Sequence, residues 1–581
     1  MQTSIRMDRD VPIQVRDGTV LRADIYRPEG SDKHPAILVR TPYNKLISGN
    51  TDFLNFVDAA HAGYVVAIQD IRGRFASEGE WRQDAMFTTE GPDGYDSVEW
   101  LAGQPWCDGN VGTAGGSYLA ALQWVTAMEN PPHLRAMAPW IGASSTIEEQ
   151  SLTGGAAALY MMVSWVPTMA VDVADRMEKR GMDVSDMRRA IAHALSNPSE
   201  VYSYLPLNEA PLAQFEGIRE MWGRRLNTAA DRQALERARR RYDSVTVPCF
   251  HVSGWYDIFT WATFHNFSMM REQGGSELAR EGQHVLMGPW IHGGRLLGFW
   301  GELHFGASAG VPAAQVGEQS LAFFDKYLKG KDIQIPCVRY FVMGRNRWQN
   351  ADTWPLPQTK WQRFYLHSLG GANTAQGDGV LNREEPDAEP NDLFVYNPLR
   401  PVPTVGGRFL PMAGLVPGPV DQSHIEIRQD ILCYTTSELK EEVEVTGPLE
   451  VHLFAATSAR DTDFAAKLVD VYPDGRAYNV AEGIRRARGR KSIFEPEPVT
   501  PGEIIEYTIN LGNTSQLFRQ GHRIRIDISS SNFPMYDRNM NTGNPIGEDA
   551  EGIPAMQTVF HNRGHASYID LPVIPGGTGQ L

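Results

Sequence analysis

The 581-residue sequence predicts an α/β fold with a mostly parallel sheet, followed by a β-sandwich in the last third of the chain. The first part contains short apolar runs without alternation, as strands covered on both faces do. These runs stand at 36–39, 64–68, 111–114, 247–252 and 284–287. Residues 96–101 begin with Asp96 and are expected to start a helix with an acidic first turn.

The last third alternates apolar and polar residues, as at Ile524, Ile526 and Ile528. A period of two is typical of antiparallel strands with one buried face. Glycine and proline pairs, such as Gly406 with Gly407, separate these runs and predict turns. We therefore expect a β-sandwich of jelly-roll type, which is the usual arrangement of many short antiparallel strands.

A stretch of helical character interrupts the α/β pattern between the early and late apolar runs. Met187, Ile191 and Ala194 recur at helical spacing behind Ser185, which we expect to cap the helix, and Pro198 ends it. Such an insertion lies over the carboxyl edge of an open sheet, where ligands bind. The predicted domains are the first part of the α/β core, a helical cap, the second part of the core and the β-sandwich, at 1–146, 147–242, 243–354 and 355–581.

Composition excludes several classes of partner. The net charge of −16 repels nucleic acid and anionic lipid, and the most apolar stretch, 156–171, is shorter than the ~20 residues that span a membrane. The first residues contain no apolar run, so we expect no secretory signal.

The four cysteines are far apart and form no zinc-binding pattern. We expect reduced thiols, no metal and no cofactor in a cytoplasmic protein, and the sequence leaves open whether it forms a homo-oligomer.

Ser117 stands between the apolar run at 111–114 and a helix start, with Gly115, Gly116 and Ala120 as small neighbours. Small residues are needed where a serine sits on a strained turn between a strand and a helix that nearly touch. The motif alone is equally compatible with an ordinary glycine-rich loop. A phosphate-binding loop is excluded because no Gly-Lys-Ser or Gly-Lys-Thr follows the glycines.

A serine hydroxyl becomes a useful nucleophile only beside a base that an acid orients. Asp257 follows the run at 247–252, and His292 follows the run at 284–287. Taken singly, each is more often a turn former or a packed side chain. Serine, acid and histidine in this chain order, each after a strand of one sheet, predict the catalytic triad of an α/β-hydrolase.

Seven further motifs resemble those of the CocE/NonD hydrolases, a family related to the X-Pro dipeptidyl-peptidases. They are RTPYNK at 40–45, QDIRGRFASEG at 69–79, WCDGNVG at 106–112, GWYD at 254–257, GPWIH at 288–292, DTDF at 461–464 and SSNFP at 530–534. The resemblance covers nearly the whole chain. One departure is Ala120, where the family usually has glycine, and we expect the serine turn to tolerate the extra methyl group.

The resemblance implies that Ser117 is the nucleophile, His292 the general base and Asp257 the acid that orients it. It also implies an oxyanion hole made by the Tyr43 hydroxyl and the backbone N–H of Tyr118. Without the resemblance, Tyr43 is better explained as a core aromatic residue.

Substrate-binding residues are less well defined by the sequence. Trp165 in the cap and Phe259 beyond the acid are candidates for an apolar acyl pocket, with core packing as the alternative. The cap also carries carboxylates that usually solvate a surface but that recognise a substrate amine if they turn inward. These are Glu148, Glu149, Asp172 and Asp175.

Together these features predict a serine hydrolase that cleaves a small carboxylic ester or activated amide through an acyl-enzyme. One alternative is an α-amino-acid ester hydrolase or X-Pro dipeptidyl-peptidase, which requires carboxylates near Ser117. A second alternative is a non-catalytic protein whose β-sandwich binds carbohydrate or another chain.

Overall fold

The computed structural model describes residues 4–47, 50–51, 53–82, 84–142, 151–226, 241–292, 297–411 and 414–576. Its first sheet contains ten strands. In chain order they are β1 (Ile5–Gln14), β2 (Val20–Pro28), β3 (His34–Thr41), β4 (Val65–Asp70), β5 (Cys107–Gly116), β6 (Leu134–Trp140), β7 (Cys249–Tyr256), β8 (Gln283–Ile291), β9 (Val338–Val342) and β10 (Arg347–Ala351).

The strand order across this sheet is β1-β2-β4-β3-β5-β6-β7-β8-β9-β10. Pairing is parallel from β4 through to β9 and antiparallel at both ends. All five predicted runs are buried and overlap parallel strands, so the prediction of a largely parallel sheet is confirmed. The antiparallel strands β1 and β2 were not predicted, because charged residues interrupt them.

Helices cover the sheet and build the cap. They are α1 (Phe56–His61), α2 (Ala85–Thr88), α3 (Glu90–Ala102), α4 (Tyr118–Met128), α5 (Leu159–Lys179), α6 (Ser185–Ser196), α7 (Pro198–Ser203), α8 (Arg219–Leu226), α9 (Thr260–Gln273), α10 (Glu277–Glu281) and α11 (Val316–Leu328). The 3₁₀ turns lie at Leu207–Glu209, Pro211–Gln214, Tyr242–Ser244, Ala307–Ala309 and Ala487–Gly489.

Two helix starts differ from the prediction. Helix α3 begins at Glu90 rather than Asp96, although Gly91, Pro92 and Gly94 disfavour a helix by propensity. Packing explains why position 94 is a glycine, because a Cβ there would lie 1.9 Å from Thr126 Oγ1 on α4. Helix α6 begins at Ser185, so Ser185 is not its cap; Asp183 accepts a hydrogen bond from the Ser185 N–H at 2.9 Å.

The helical insertion lies between β6 and β7, as predicted, and contains α5 to α8. A short hairpin, in which Leu152–Thr153 pairs with Ala156–Ala157, precedes the first of these helices. The cap shares one apolar core with Tyr118 of the first domain and with Phe409 and Tyr536 of the C-terminal part. The cap is therefore packed against both neighbours. The four domain ranges given above stay predictions.

The C-terminal part is rich in β structure, as predicted. Twelve strands, almost all antiparallel, form one hydrogen-bonded sheet around an apolar core. They are β11 (Lys360–His367), β12 (Val380–Asn382), β13 (Asp392–Tyr396), β14 (Leu432–Thr435), β15 (Val443–Thr457), β16 (Asp463–Val471), β17 (Ala477–Arg486), β18 (Ile505–Phe518), β19 (Arg523–Ser529), β20 (Ala555–Asn562), β21 (His565–Ala566) and β22 (Tyr568–Val573).

Two-residue pairings also occur between Asn50–Thr51 and Leu54–Asn55, and between Phe299–Trp300 and Leu303–His304. Within the described ranges, no helix combines the length and the apolar character that crossing a membrane requires.

Candidate active site

Four of the predicted site residues follow the carboxyl ends of parallel strands. Tyr43 lies beyond β3, Ser117 directly follows β5, Asp257 follows β7 and His292 follows β8. Because parallel strands end at the same edge of a sheet, these residues meet there. Strands β3 and β5 are neighbours, and the chain has turned back between them to add β4 on the far side of β3. Tyr43 and Ser117 thus face a topological switch point, where ligands bind in open α/β sheets.

Ser117 has a strained backbone conformation, with φ 61° and ψ −122°. A side chain at positive φ costs free energy that only a well-packed surrounding structure sustains. The neighbours supply the space: Gly115 has φ 139°, and a Cβ there would lie 2.6 Å from Leu119 Cβ. The Ser117 N–H donates to the carbonyls of Trp140 and Ile141 at 3.0 and 3.1 Å. The turn therefore holds the serine at the sheet edge, at the start of α4.

Ala120 fits because a glycine stands opposite it. The Ala120 side chain is fully buried, and a Cβ at Gly142 would lie only 2.2 Å from the Ala120 Cβ. The serine turn thus accommodates alanine by having glycine at 142, beyond the end of β6. This compensation was not predicted, since nothing in the sequence links the two positions.

The hydroxyl, imidazole and carboxylate form a continuous chain of contacts. His292 Nε2 lies 3.1 Å from Ser117 Oγ, and His292 Nδ1 lies 2.9 Å from Asp257 Oδ2. Asp257 is fully buried and His292 is 8% exposed. With Nδ1–H donating to the carboxylate, Nε2 is left to accept the serine proton. This arrangement is chemically able to generate a serine nucleophile.

Phe259 holds the acid and the base in position. Its backbone N–H donates to Asp257 Oδ1 at 2.8 Å, and its ring packs edge-on against His292 with centroids 5.5 Å apart. Phe259 is almost completely buried. The structure thus places this predicted pocket residue behind the imidazole. Its role as a substrate contact stays a prediction.

Tyr43 and Tyr118 lie beside the serine in an aromatic cluster with Trp165. The Trp165 indole N–H donates to the Tyr43 hydroxyl oxygen at 2.9 Å, and the Trp165 ring stacks on Tyr118. Burial raises the pKa of Tyr43, and hydrogen bonds with Trp165 and Ser117 oppose that rise. Tyr118 is the first residue of α4, where a backbone N–H has no acceptor within the helix. Both predicted oxyanion donors are therefore next to Ser117.

Arg225 is a buried residue that sequence reasoning missed. Its guanidinium lies over the Trp165 ring, with the carbon 4.4 Å from the ring centroid, and burial lowers its pKa to about 10. A cation over an aromatic face is a favourable contact in a desolvated site. Arginine in an amphipathic cap helix predicts a solvated side chain, so the sequence carries no signal for this position.

The cap carboxylates do not form an amine-binding cluster within the described residues. Asp172 is buried and pairs with Arg74, and Asp175 pairs with Arg188 at 2.7 Å. Glu148 and Glu149 lie outside the described residues. Arg74 lies in the loop after β4, and it binds both Asp172 and the Met169 carbonyl on α5. Asp172 therefore helps to connect α5 to that loop.

Other residues of the motifs at 40–45 and 69–79 connect the strands, helix and loops around the site. Arg40 at the end of β3 donates to the Glu90 carboxylate at 2.7 Å and thus links β3 to α3. Asp70 accepts from the backbone N–H groups of Lys45 and Ala76, and it ties the Tyr43 loop to the loop after β4. Burial raises the pKa of Asp70 to about 6. These contacts explain why the motifs around 40 and 70 occur together.

The motifs at 461–464 and 530–534 lie beside a buried ion-pair network in the C-terminal part. Arg486 donates to both oxygens of Asp463 at 2.8 Å and to Asp537 at 2.9 Å. Asp537 in turn accepts from the Ala157 N–H at 2.6 Å and donates its own N–H to the Ala157 carbonyl. The network joins the hairpin of the cap to the β-rich part.

Comparison with known proteins identifies the family of the chain. Residues 17–294 match the family model for the X-Pro dipeptidyl-peptidase S15 family, and residues 333–570 match the model for the X-Pro dipeptidyl-peptidase C-terminal non-catalytic domain. The chain is 36% identical to cocaine esterase of Rhodococcus sp. (strain MB1 Bresler), across 97% of this chain and 98% of that protein.

Solved structures share the fold over the whole length. An aminopeptidase from a marine sediment Thaumarchaeota archaeon matches with a TM-score of 0.75 and 24% identity, covering 99% of this chain and 97% of that one. An α-amino acid ester hydrolase matches with a TM-score of 0.75 and 23% identity, covering 98% and 97%. The chain therefore belongs to the CocE/NonD serine hydrolases, within the X-Pro dipeptidyl-peptidase S15 family.

Proposed function

We propose that this serine hydrolase is a carboxylesterase that acts through an acyl-enzyme on Ser117. His292 takes the Ser117 proton as Oγ attacks the acyl carbonyl, and then delivers that proton to the leaving alcohol. Asp257 keeps the imidazole in the tautomer that accepts at Nε2. In the second half of the cycle, His292 activates water, which releases the acid and regenerates Ser117.

The Tyr43 hydroxyl and the Tyr118 N–H stabilise the oxyanion of each tetrahedral intermediate. Donors fixed in a site that excludes most water stabilise developing charge more strongly than water does. Trp165 supports this role, since its N–H occupies a lone pair of the Tyr43 oxygen and leaves the Tyr43 proton to be donated.

The observation that carries the proposal is the chain of contacts from Asp257 through His292 to Ser117, at 2.9 and 3.1 Å. Its three members come from separate parts of the sequence. Ser117 has a positive φ, a conformation that costs free energy and that is concentrated at functional sites. Esters are favoured over amides because an alcohol leaves more readily than an amine. The name of the Rhodococcus relative indicates ester cleavage as well.

Cleavage of α-amino-acid esters or X-Pro peptides is the alternative, because the family model carries the name of such peptidases. Recognition of a substrate amine requires a carboxylate that is available to it. Of the two described cap carboxylates considered for that role, Asp172 and Asp175, each is paired with an arginine. This pairing ranks the alternative second.

We further propose a small-molecule substrate and a cytoplasmic location. All four cysteines are unpaired thiols, which suits a reducing compartment.

A substrate panel tests the proposal. Wild-type protein and Ser117→Ala are assayed with p-nitrophenyl esters of increasing acyl length and with aminoacyl and X-Pro p-nitroanilides. We expect turnover of simple esters by the wild type and at least a ~10³-fold loss in Ser117→Ala. Fast turnover of X-Pro anilides without ester cleavage would show that the protein is a peptidase and not an esterase. Absence of all turnover, with no labelling by a fluorophosphonate, would favour a binding protein.

A further inference from the structure

A cavity lies close to the site described above. It has a volume of about 440 Å³ and is bounded by the hairpin of the cap, the turn after Asp257 and the β-rich part. Of the described residues, neither Ser117 nor His292 lines it. Ile258, which directly follows Asp257, does. The cavity is thus a neighbour of the predicted active site and has walls of its own, and its size suits a small ligand.

Close contacts fix the hairpin of the cap, which bounds the cavity, against the β-rich part. Gly154 of the hairpin approaches β17 so closely that a Cβ there would lie 1.9 Å from the Ile484 carbonyl oxygen. The Gly154 carbonyl accepts from the Arg486 N–H at 2.9 Å, and Asp537 binds both polar groups of the Ala157 backbone. These bonds fix the hairpin against the β-rich part. The space between them cannot close by a simple shift of the hairpin.

Six of the lining residues are apolar. They come from the turn after Asp257, from the start of α9, from β17 and from the loops that follow β17 and β19, and they are Ile258, Trp261, Ile484, Ile493, Phe494 and Met535. An apolar surface of this extent favours a ligand with a hydrocarbon body.

The charged residues that line the cavity differ in how far they are already bound by other groups of the protein. Arg408 donates to three backbone carbonyls, those of Trp255, Leu511 and Asn513, and its own N–H donates to Glu482. The Glu482 carboxylate is also balanced electrostatically by Lys467. The Arg408 guanidinium is therefore bound to backbone carbonyls, and the Glu482 carboxylate is bound by a backbone N–H and lies in the field of Lys467.

Arg485 also lines the cavity, and fewer of its hydrogen-bond donors are bound within the protein. Its Nε donates to the Thr508 carbonyl at 3.1 Å, and within the described part of the chain no carboxylate forms an ion pair with it. Glu450 is the one carboxylate whose field acts on it, and burial lowers the pKa of Arg485. Its two terminal nitrogens have the fork geometry that binds a carboxylate. Lys491 also lines the cavity but is paired with Glu497 at 2.8 Å.

We propose that this cavity is a second binding site, for a hydrophobic carboxylate whose head group binds Arg485 and whose hydrocarbon body lies against Trp261 and Ile493. Carboxylic acids are also the products that the proposed esterase releases. Binding does not depend on that activity, because it is measured with a compound that the enzyme cannot turn over.

Isothermal titration with octanoate tests the proposal on the full chain. We expect one equivalent to bind the wild type and the control Arg476→Gln, which alters an exposed arginine at the turn before β17, with the same Kd. Arg485→Gln should raise the Kd by about tenfold or more, because a charge-assisted hydrogen bond is lost. Octanamide, which is neutral, should bind the wild type correspondingly weakly. Affinity should rise about fourfold for each methylene from butyrate to octanoate.

Ile493→Trp provides a variant that does not disturb the charge. The larger side chain narrows the cavity where the hydrocarbon body is expected, so octanoate binding should weaken by about tenfold or more while the Tm stays near that of the wild type. If Arg485→Gln fails to fold, Arg485→Lys replaces it and should also weaken binding, because lysine lacks the fork that binds a carboxylate at two points. The proposal is overturned if octanoate shows no saturable binding, or if Arg485→Gln and Ile493→Trp bind it as the wild type does.

Discussion

Trp165 of the cap donates its indole N–H to the hydroxyl oxygen of Tyr43 at 2.9 Å and joins the cap to the loop after the first parallel strand. The bond has a direction. Because the Tyr43 oxygen accepts from Trp165, the Tyr43 proton is available for an acceptor on the side of Ser117. The cap therefore contributes to the oxyanion site without supplying a donor of its own.

Tyr43→Phe should lower kcat by about 10²-fold to 10³-fold with little change in KM, because the lost hydrogen bond stabilises the tetrahedral intermediate more than the bound ester. Trp165→Phe keeps an aromatic ring against Tyr118 and removes only the N–H, so its loss should be smaller, at about tenfold or less. Steady-state kinetics with a p-nitrophenyl ester measure both. The control is Trp361→Phe, at a tryptophan that is 53% exposed. Equal kcat values for Tyr43→Phe and the wild type would remove Tyr43 from the mechanism.

Gly142→Ala should destabilise the serine turn, since its Cβ would lie 2.2 Å from that of Ala120. We expect a cost of about 1–3 kcal/mol, as for other overpacked sites, together with a loss of activity. Ala120→Gly in the same chain removes the clash and should restore part of both. Thermal unfolding and ester turnover of the two single variants and the double variant measure the coupling. Strict additivity of the two changes would contradict the contact.

Glu90 makes the stability dependent on pH. Burial raises the pKa of its carboxyl from 4.5 to about 7 in the folded chain, although the charge of Arg40 opposes the rise. Between these values the folded state binds more protons than the unfolded state, so the contribution of Glu90 to stability is present below about pH 4.5 and is lost as the pH rises through about 7.

Glu90→Gln cannot titrate and should remove the part of the slope that Glu90 contributes, roughly 3 kcal/mol across the interval, while the part from Asp70 stays. Denaturant unfolding of both proteins at about pH 5 and about pH 8 measures it. An unchanged pH dependence in Glu90→Gln would show that another group is responsible.

Arg486→Met should destabilise the protein strongly, because it leaves Asp463 and Asp537 as buried carboxylates without their common partner. Breaking a buried ion pair from one side costs about 3–5 kcal/mol. Arg476→Gln, at an exposed arginine on the same hairpin, is the control and should have almost no effect. The unfolding midpoints of the two variants give the comparison. Similar midpoints would mean that the network does not stabilise the junction.

The sequence was sufficient to predict the strands that carry the site and the order of the three reacting groups. Ser117, Asp257 and His292 each follow an apolar run, and such runs in a parallel sheet end at one edge. The half-exposed strands β1 and β2 were missed because their charged residues mask the strand pattern. Helix α3 was started too late because a close contact between Gly94 and Thr126 overrides the low helix propensity of glycine.

The contacts that complete the site could not be predicted. Trp165 and Tyr43 are 122 residues apart, and nothing in either segment specifies that the indole points at the phenol. Arg225 was missed for a related reason, since burial of a cation depends on how the cap helices pack. Residues on strands are fixed by local pattern, whereas residues from the cap are fixed by packing between distant segments.

Labelling with a fluorophosphonate, followed by intact mass and peptide mapping, tests the central claim most directly. We expect the wild type to gain one label, on Ser117, and Ser117→Ala to gain none. His292→Ala keeps the serine but loses the base, so its labelling rate should fall by about 10³-fold or more. A label on a different residue, or a wild-type rate in His292→Ala, would contradict the account.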